Sequence, residues 1–185
     1  LAETQQVLIE NHLRSRIRVQ TDGQLRTGRD VIVAALLGAD QFGFGTAALV
    51  CMGCTLLRKC HEGACTYGIA TQDPQLRKRF AGKPEYIVRY MTFVAQEARQ
   101  WMAALGFRTL DEMIGRSDRL RMQKGIEHYK AKGLDFSRIF HQPEVNDQTQ
   151  RRLSDKQADK LADHLDYEIL KQAQDAIDTK TSVKL

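Results

Sequence analysis

The fold is decided by the stretch RIRVQTDGQLRTGRDVIVAALLGADQFGFGT, residues 16–46. Residues 16–21 alternate and carry β-branched side chains, which predicts a strand that ends at the Asp-Gly turn following it. Residues 28–37 are apolar nearly all round, so we predict a helix that is buried on most sides. A second short strand is predicted over 41–45. Strand, helix and strand in this order are typical of an α/β protein with parallel strands.

Outside this stretch the sequence is predicted to be mainly helical. Thr27 is expected to cap the helix that joins the two strands, with Asp30 in the first turn to complement the helix dipole. Two parallel strands do not make a stable sheet alone, so we expect residues 1–70 to close a larger α/β domain. An apolar stripe that includes Trp101 is interpreted as core packing, and Ser154 as the cap of a last, amphipathic helix. Further helices are predicted over 4–14, 46–54, 74–80, 84–105 and 109–115.

The composition excludes few functions. The 185 residues are enough for one ordinary domain. The longest apolar run, 31–37, is too short to span a bilayer, and no secretory signal is visible, so we expect a cytoplasmic protein without a membrane partner.

The net charge is +5, with its excess in residues 116–132. We interpret this segment as a solvated surface and expect no nucleic-acid partner; docking to an acidic partner is the alternative. Its basic residues are Arg116, Arg119, Arg121, Lys124, Lys130 and Lys132.

All four cysteines lie within fifteen residues, as C-x2-C-x5-C-x4-C from Cys51 to Cys65. In a reducing compartment such a group indicates metal binding or redox chemistry rather than a disulfide framework. Four thiolates suit a four-iron cluster or, less well, zinc, and the last three suit a cluster with one vacant iron corner. The spacing does not choose between these ligand sets. Cys51 is also consistent with a small buried hydrophobe, and His61 is interpreted as exposed or adjacent to the ligands.

Glycines follow both predicted strands. Asp22 and Gly23 come after the first, and Gly43, Gly45 and Thr46 come at the end of the second. Glycine lets the backbone approach a phosphate closely, and such turns after neighbouring strands of a (β/α)₈ barrel form a common phosphate pocket. The pattern indicates a site for a flavin or sugar phosphate. Two ordinary tight turns are the alternative.

The sequence contains, in this order, Thr21-Asp22-Gly23, Thr27 to Asp30, Gly38 to Ala47, Cys54, Cys60 and Cys65 with Gly68 to Pro74, and Phe107 to Arg116. This set of motifs resembles the large subunit of the bacterial glutamate synthases. The resemblance implies that the chain is α/β, with the last two βα units of a (β/α)₈ TIM barrel followed by a mainly helical extension. The implied segments are 1–50, the end of the FMN-binding barrel; 51–72, an iron–sulfur loop; 73–141, the extension; and 142–185, a linker and helix toward a C-terminal domain.

The resemblance also implies cofactors and residues. FMN would be bound at its phosphate end, and a [3Fe-4S] cluster would be bound by three of the four thiols. The family often has a second glycine where this chain has Gln24, and a small apolar residue where it has Cys51. The implied flavin residues are Asp22, Gly23, Gly43, Gly45 and Thr46; the implied cluster ligands are Cys54, Cys60 and Cys65.

The activity implied is the synthesis of L-glutamate from 2-oxoglutarate and glutamine-derived ammonia, with reduced FMN as the hydride donor. An NADPH-oxidising flavoprotein subunit would supply electrons through the cluster. The residues that bind glutamine and 2-oxoglutarate are not in this sequence, so no catalytic residue is assigned and the isolated chain is expected to be inactive. Self-association through residues 31–37 is expected. The alternatives are a ferredoxin-dependent relative, a zinc-stapled helical binding module and a metal-free interaction segment.

Overall fold

The structure, a computed structural model, describes residues 1–122, 129–131, 133–144, 146, 149–158, 160–161 and 163–184. It contains a two-stranded parallel sheet, and helices hold many more residues than strands. The chain divides into two compact units, Leu1–Ser154 and Asp155–Leu185. The strands are β1, Gln20–Asp22, and β2, Gln41–Gly43. The helices are α1, Ala2–Glu10; α2, Gly28–Leu36; α3, Thr46–Cys51; α4, Pro74–Arg77; α5, Pro84–Leu105; α6, Leu110–Met113; α7, Ser137–Phe140; α8, Leu165–Gln172; and α9, Gln174–Thr179.

The sheet and α2 form the predicted strand–helix–strand unit. β1 and β2 run parallel, with Gln20 opposite Gln41. α2 begins with a capping box: the Asp30 N–H donates to the Thr27 hydroxyl at 3.2 Å, and the Thr27 N–H donates to the Asp30 carboxylate at 2.9 Å. These reciprocal bonds satisfy donors that the first helical turn leaves without partners. The predicted parallel pairing and the predicted cap are both confirmed.

The first strand is shorter than predicted. Residues 16–21 were expected to be extended, but Arg14–Arg16 forms a 3-10 turn and β1 begins only at Gln20. The Arg14 guanidinium donates to the Ile17 carbonyl at 2.7 Å, and the Val19 N–H donates to Asp40 Oδ2 at 2.7 Å. Side chains therefore satisfy backbone groups that a longer strand would have paired.

α2 lies at the centre of the core, as its composition predicted. Leu36 is 2% exposed and packs with Met113 of α6, while Met102 and Leu105 of α5 cover this cluster. Because α2 is covered by its own chain, its apolar surface no longer gives a reason to expect self-association. The buried residues of α2 are Gly28, Val31, Ile32, Ala34, Ala35 and Leu36.

Helix α5 begins and ends where the sequence predicts, but Trp101 does not lie in the core. Its side chain is 40% exposed, and its indole N–H donates to Glu97 Oε1 at 3.4 Å. Val94 is the buried residue of α5, with 8% of its surface exposed. The interpretation of Trp101 as core packing was wrong, because the indole reaches a carboxylate at the protein surface. No helix among the described residues is long and apolar enough to cross a membrane.

The tail also differs from the prediction. Ser154 does not cap a helix. Its N–H donates to the Ser15 carbonyl at 3.0 Å, which holds the end of the first unit against the turn that follows α1. α8 begins eleven residues later, after His164, whose ring accepts a hydrogen bond from the Asp166 N–H at 3.4 Å. Gln142, in the predicted linker, donates to the Gly115 carbonyl at 2.9 Å.

Gly28 marks the closest approach of α2 to α5, and we expect Gly28→Ala to destabilise the chain. Its N–H donates to Glu97 Oε2 at 2.8 Å, and a Cβ there would overlap the backbone of Val94 and Ala98. Glycine-to-alanine changes within helices usually stabilise, but here overpacking should lower the free energy of unfolding by about 1–3 kcal/mol. Urea unfolding measures this.

Gln100→Ala, an exposed change on α5, is the control for that measurement and should shift the free energy of unfolding by less than about 0.5 kcal/mol. A Gly28→Ala chain as stable as the unmodified one, or more stable, would contradict the close crossing of the two helices.

Candidate cofactor sites

The carboxyl ends of β1 and β2 lie side by side at one edge of the sheet. Asp22 is paired with Gly43, and a side chain at position 43 would overlap the Asp22 carboxylate. In its present rotamer the Asp22 side chain thus occupies the space that a side chain at position 43 would take. Among the described residues, no atom other than those of the glycine and its two chain neighbours lies within 4 Å of the point where a Cβ would stand on Gly23 or Gly45, so the backbone is open there to an approaching group. The predicted flavin residues are thus placed at two adjacent strand ends, and Thr46 follows directly.

The turn after β1 needs two consecutive residues in the left-handed region. Gly23 has φ +99° and Gln24 has φ +59°. Glycine adopts this conformation without strain, whereas a residue with a side chain pays an energetic cost. The Gln24 side-chain oxygen accepts a hydrogen bond from the Arg26 guanidinium, a local contact that helps to hold the turn. Position 24, where the family often has a second glycine, thus keeps a left-handed backbone conformation typical of glycine although its residue is glutamine.

Helix α3 connects β2 directly to the cysteine loop. It has six residues and ends at Cys51, so the prediction of a helix through residue 54 was wrong. Gly53 turns the chain with φ +99°, and the Cys54 N–H donates to the Leu49 carbonyl at 3.0 Å. Cys51 therefore lies on the helix, whereas Cys54 lies in the turn beyond it. Because α3 has only six residues, an anion at its N-terminus would be bound mainly by the turns that follow β1 and β2.

The four cysteines are free thiols in one segment, with Cys51 at the end of α3 and the other three in the loop after it. Cys60 begins a 3-10 turn, Cys60–Glu62, and is exposed, whereas the other three are partly buried. In the part of the chain that the structure describes, no three His, Cys, Asp or Glu side chains lie close enough together to hold a metal ion. The structure therefore keeps Cys54, Cys60 and Cys65 in one segment but does not bring them into a ligating arrangement.

Two of these thiols have surroundings that suit a metal ligand. The Ala70 N–H, with those of Tyr67, Ile69 and Gly68, lowers the pKa of the Cys65 thiol against the opposing effect of burial. The Leu56 N–H donates to Cys54 Sγ at 3.4 Å. Because the thiolate is the form that binds metals, backbone donors around sulfur fit an iron–sulfur ligand set. The donor chemistry of the loop therefore fits the expected cluster.

The same loop contains residues in strained conformations. Leu56 has φ +61° and Arg58 has φ +62°, although neither is glycine. Such strain tends to occur where function fixes the backbone. Leu56 and Leu57 are 43% and 49% exposed. His61 has an exposed side chain within 3.5 Å of Glu62, which agrees with its interpretation as an exposed residue.

Sequence reasoning missed Tyr90 and Glu97, which link α5 to the turns after the strands. The Tyr90 hydroxyl donates to the Arg26 carbonyl at 2.7 Å, and its ring meets Phe44 edge to face. Glu97 accepts the Gly28 N–H at the start of α2. Both residues lie on α5, for which the sequence predicts only core packing. Their hydrogen-bond partners are more than sixty positions away in the chain. The signal available in the sequence was that these two polar residues lie on the side of α5 that is predicted to face the core.

The basic segment 116–132 is partly neutralised where the structure describes it. The Arg116 guanidinium makes two hydrogen bonds, of 2.8 and 2.7 Å, to the Asp118 carboxylate. The guanidinium groups of Arg116 and Arg119 also lie 5.8 and 5.7 Å from the centre of the Phe107 ring. These contacts agree with a surface role. Lys124, Glu127 and Lys132 lie outside the described residues.

The fold is mainly helical with a two-stranded parallel sheet, and its glycine-rich strand ends lead through α3 to a loop with free thiols. A family model described as the conserved region in glutamate synthase matches residues 1–108, and the chain belongs to the glutamate synthase family.

The chain matches relatives whose names give different electron donors: NADPH, NADH and ferredoxin. The NADPH glutamate synthase large chain of Bacillus subtilis is 56% identical over 145 residues, 78% of this chain and 10% of the relative. The NADH glutamate synthase of Saccharomyces cerevisiae is 44% identical over 186 residues, 100% of this chain and 9% of the relative. The ferredoxin-dependent glutamate synthase of Cyanidium caldarium is 42% identical over 171 residues, 92% of this chain and 11% of the relative. The chain thus spans about a tenth of the length of these relatives.

Proposed function

We propose that this chain is the part of a glutamate synthase in which the end of an FMN-binding (β/α)₈ barrel meets a [3Fe-4S] loop. The supporting observation is the continuity of β2, α3 and the cysteine loop. One short helix separates Gly45 from Cys54, so a flavin phosphate site and an iron–sulfur site would be held close together. The whole protein would make L-glutamate from 2-oxoglutarate and glutamine-derived ammonia.

At the flavin site, the strand-end turns would bind the phosphate end of FMN. Gly23, Gly43 and Gly45 would let backbone N–H groups approach the phosphate, and the Thr46 hydroxyl would add a donor. The Asp22 carboxylate would repel a phosphate, so we assign it to accept hydrogen bonds from ribityl hydroxyls.

The start of α2 does not compete for the phosphate. Its first N–H groups already have partners, because Glu97 accepts from Gly28 and the Thr27 hydroxyl accepts from Asp30. Burial opposes ionisation of Asp30, but hydrogen bonds from Arg26 and Thr27 outweigh it and lower the pKa of this carboxyl. The cap therefore keeps its negative charge at neutral pH, which would disfavour a phosphate there.

At the cluster site, Cys54, Cys60 and Cys65 would hold the [3Fe-4S] cluster. When bound, the cluster supplies single-electron transfer and FMN supplies hydride transfer. The protein residues would tune and position these groups: the backbone N–H groups of residues 67–70 lower the pKa of the Cys65 thiol, and the Leu56 N–H donates a hydrogen bond to Cys54 Sγ. This assignment uses three of the four thiols and leaves Cys51 on α3 as a packing residue.

The electron donor of the whole protein is proposed from the bacterial relatives. A small NADPH-oxidising flavoprotein subunit would reduce the large chain, and the assembly would act in the cytoplasm, where thiols stay reduced. A ferredoxin donor is the second candidate, favoured by the 42% identity to the Cyanidium caldarium protein. The catalytic residues for glutamine and 2-oxoglutarate would lie in the rest of the polypeptide.

Metal and flavin content test this proposal. The full-length large chain is purified without air, and iron, sulfide, zinc and FMN are counted on the sample used for electron paramagnetic resonance. We expect FMN, iron and sulfide in the proportion of a three-iron cluster, and an oxidised three-iron signal. Zinc in place of iron would support a zinc-stapled module instead. A protein without metal or flavin would reject both cofactor sites.

A further inference from the structure

Tyr90 contacts both of the turns that the proposed function assigns to the flavin phosphate. It lies in the second turn of α5 and is partly buried. Its hydroxyl donates to the Arg26 carbonyl at 2.7 Å, in the loop that leaves β1. Its ring meets the Phe44 ring edge to face, with centroids 6.3 Å apart and planes at 82°. Phe44 stands between Gly43 and Gly45, so one side chain touches the segments that follow both strands.

The chemistry of Tyr90 suits a fixed donor. Burial, followed by the negative charges that Cys51 and Asp30 can carry, raises the pKa of its phenol, so the hydroxyl stays protonated and able to donate. The aromatic contact fixes the direction of the ring. The loop that Tyr90 holds begins with Gly23 and Gln24, whose left-handed conformations have no support from a strand or helix. Without the hydroxyl, Arg26 would lose a bond that joins this loop to α5.

We infer that Tyr90 is a positioning residue for the phosphate end of the flavin. It holds the turn at Gly23 and the turn at Gly43–Gly45 at a constant separation, so that their N–H groups converge on one phosphate. This inference rests on the proposed function. A preorganised group of donors binds an anion more tightly than a flexible one, because the cost of ordering it has already been met during folding.

The test compares FMN with riboflavin, which differs only in lacking the phosphate. The apo form of the full-length chain is titrated with each, and quenching of flavin fluorescence gives the two dissociation constants. Tyr90→Phe removes the hydroxyl and keeps the ring. We expect FMN to bind about fivefold more weakly, the effect of one lost hydrogen bond, while riboflavin affinity is unchanged. Phe44→Leu, which removes the ring contact, should show the same selective loss.

Tyr86→Phe is the matched control. Tyr86 lies one turn earlier on α5, is 42% exposed, and its hydroxyl has no hydrogen-bond partner among the described residues, so neither affinity should change. Equal weakening of FMN and riboflavin by Tyr90→Phe would overturn the inference in favour of a general structural role. Affinities equal to those of Tyr86→Phe would overturn it as well. An unmodified chain that binds no FMN would instead reject the proposed function on which the inference rests.

Discussion

Full-length protein carrying Cys54→Ser, Cys60→Ser or Cys65→Ser is expected to lose the three-iron resonance completely, whereas Cys51→Ser should retain it. A three-iron cluster with three protein ligands uses one thiolate for each iron, and the harder hydroxyl oxygen of serine is a poor substitute for that soft ligand. Electron paramagnetic resonance and iron content, measured on samples purified without air, give the result for each variant.

Cys51→Ser is the matched control, because it makes the same chemical change in the same segment. Cys51 is the last residue of α3, on the other side of the Gly53 turn from Cys54. Loss of the signal in Cys51→Ser would indicate a fourth ligand and therefore a different cluster. A signal that survived Cys60→Ser, at the most exposed of the four thiols, would contradict the three-ligand assignment.

Arg14→Met is expected to lower the free energy of unfolding of the chain by about 3–5 kcal/mol, the range for breaking a buried ion pair. Arg14 is 1% exposed, and its guanidinium lies 2.7 Å from Asp40 Oδ2. It also donates to the Gly38 carbonyl at 3.0 Å and to the Gln5 side chain. Removing the cation leaves a mostly buried carboxylate without its counter-charge and several acceptors without a donor. Urea unfolding followed by circular dichroism measures the loss.

Arg18→Met controls for that experiment, since Arg18 is exposed and its loss should cost less than about 0.5 kcal/mol. Adding Asp40→Asn to Arg14→Met tests the pair itself. The neutral amide needs no counter-charge, so the double variant should lose less stability than the sum of the two single ones. Additive losses, or an Arg14→Met chain as stable as Arg18→Met, would show that the ion pair does not stabilise the core.

The elements that the sequence predicts correctly depend on local patterns. The capping residues Thr27 and Asp30 and the apolar run after them predict α2, its start and its burial, because both signals lie within a few residues of the helix. The adjacency of Asp22 and Gly43 follows from parallel pairing, which places the carboxyl ends of neighbouring strands at one edge. The sequence therefore predicts that the candidate flavin residues at the two strand ends lie close together.

Long-range contacts explain what the sequence does not predict. Arginine is rarely buried, so nothing near Arg14 indicates that Asp40, 26 residues later, gives it a partner. The hydrogen bond from Tyr90 to Arg26 spans 64 residues. Cysteine spacing indicates metal chemistry but does not set the distances between the thiols, because these depend on loop torsions such as the left-handed Leu56 and Arg58.

The contacts that tie residues 151–154 to the first helix and the turn after it also determine how the polypeptide enters and leaves this unit. The Gln5 side chain donates to the Arg151 carbonyl at 2.8 Å, and the Ser154 N–H donates to the Ser15 carbonyl. The first and last turns of the unit are therefore neighbours in space. A unit whose ends meet can be carried within a longer chain without separating the segments on either side of it.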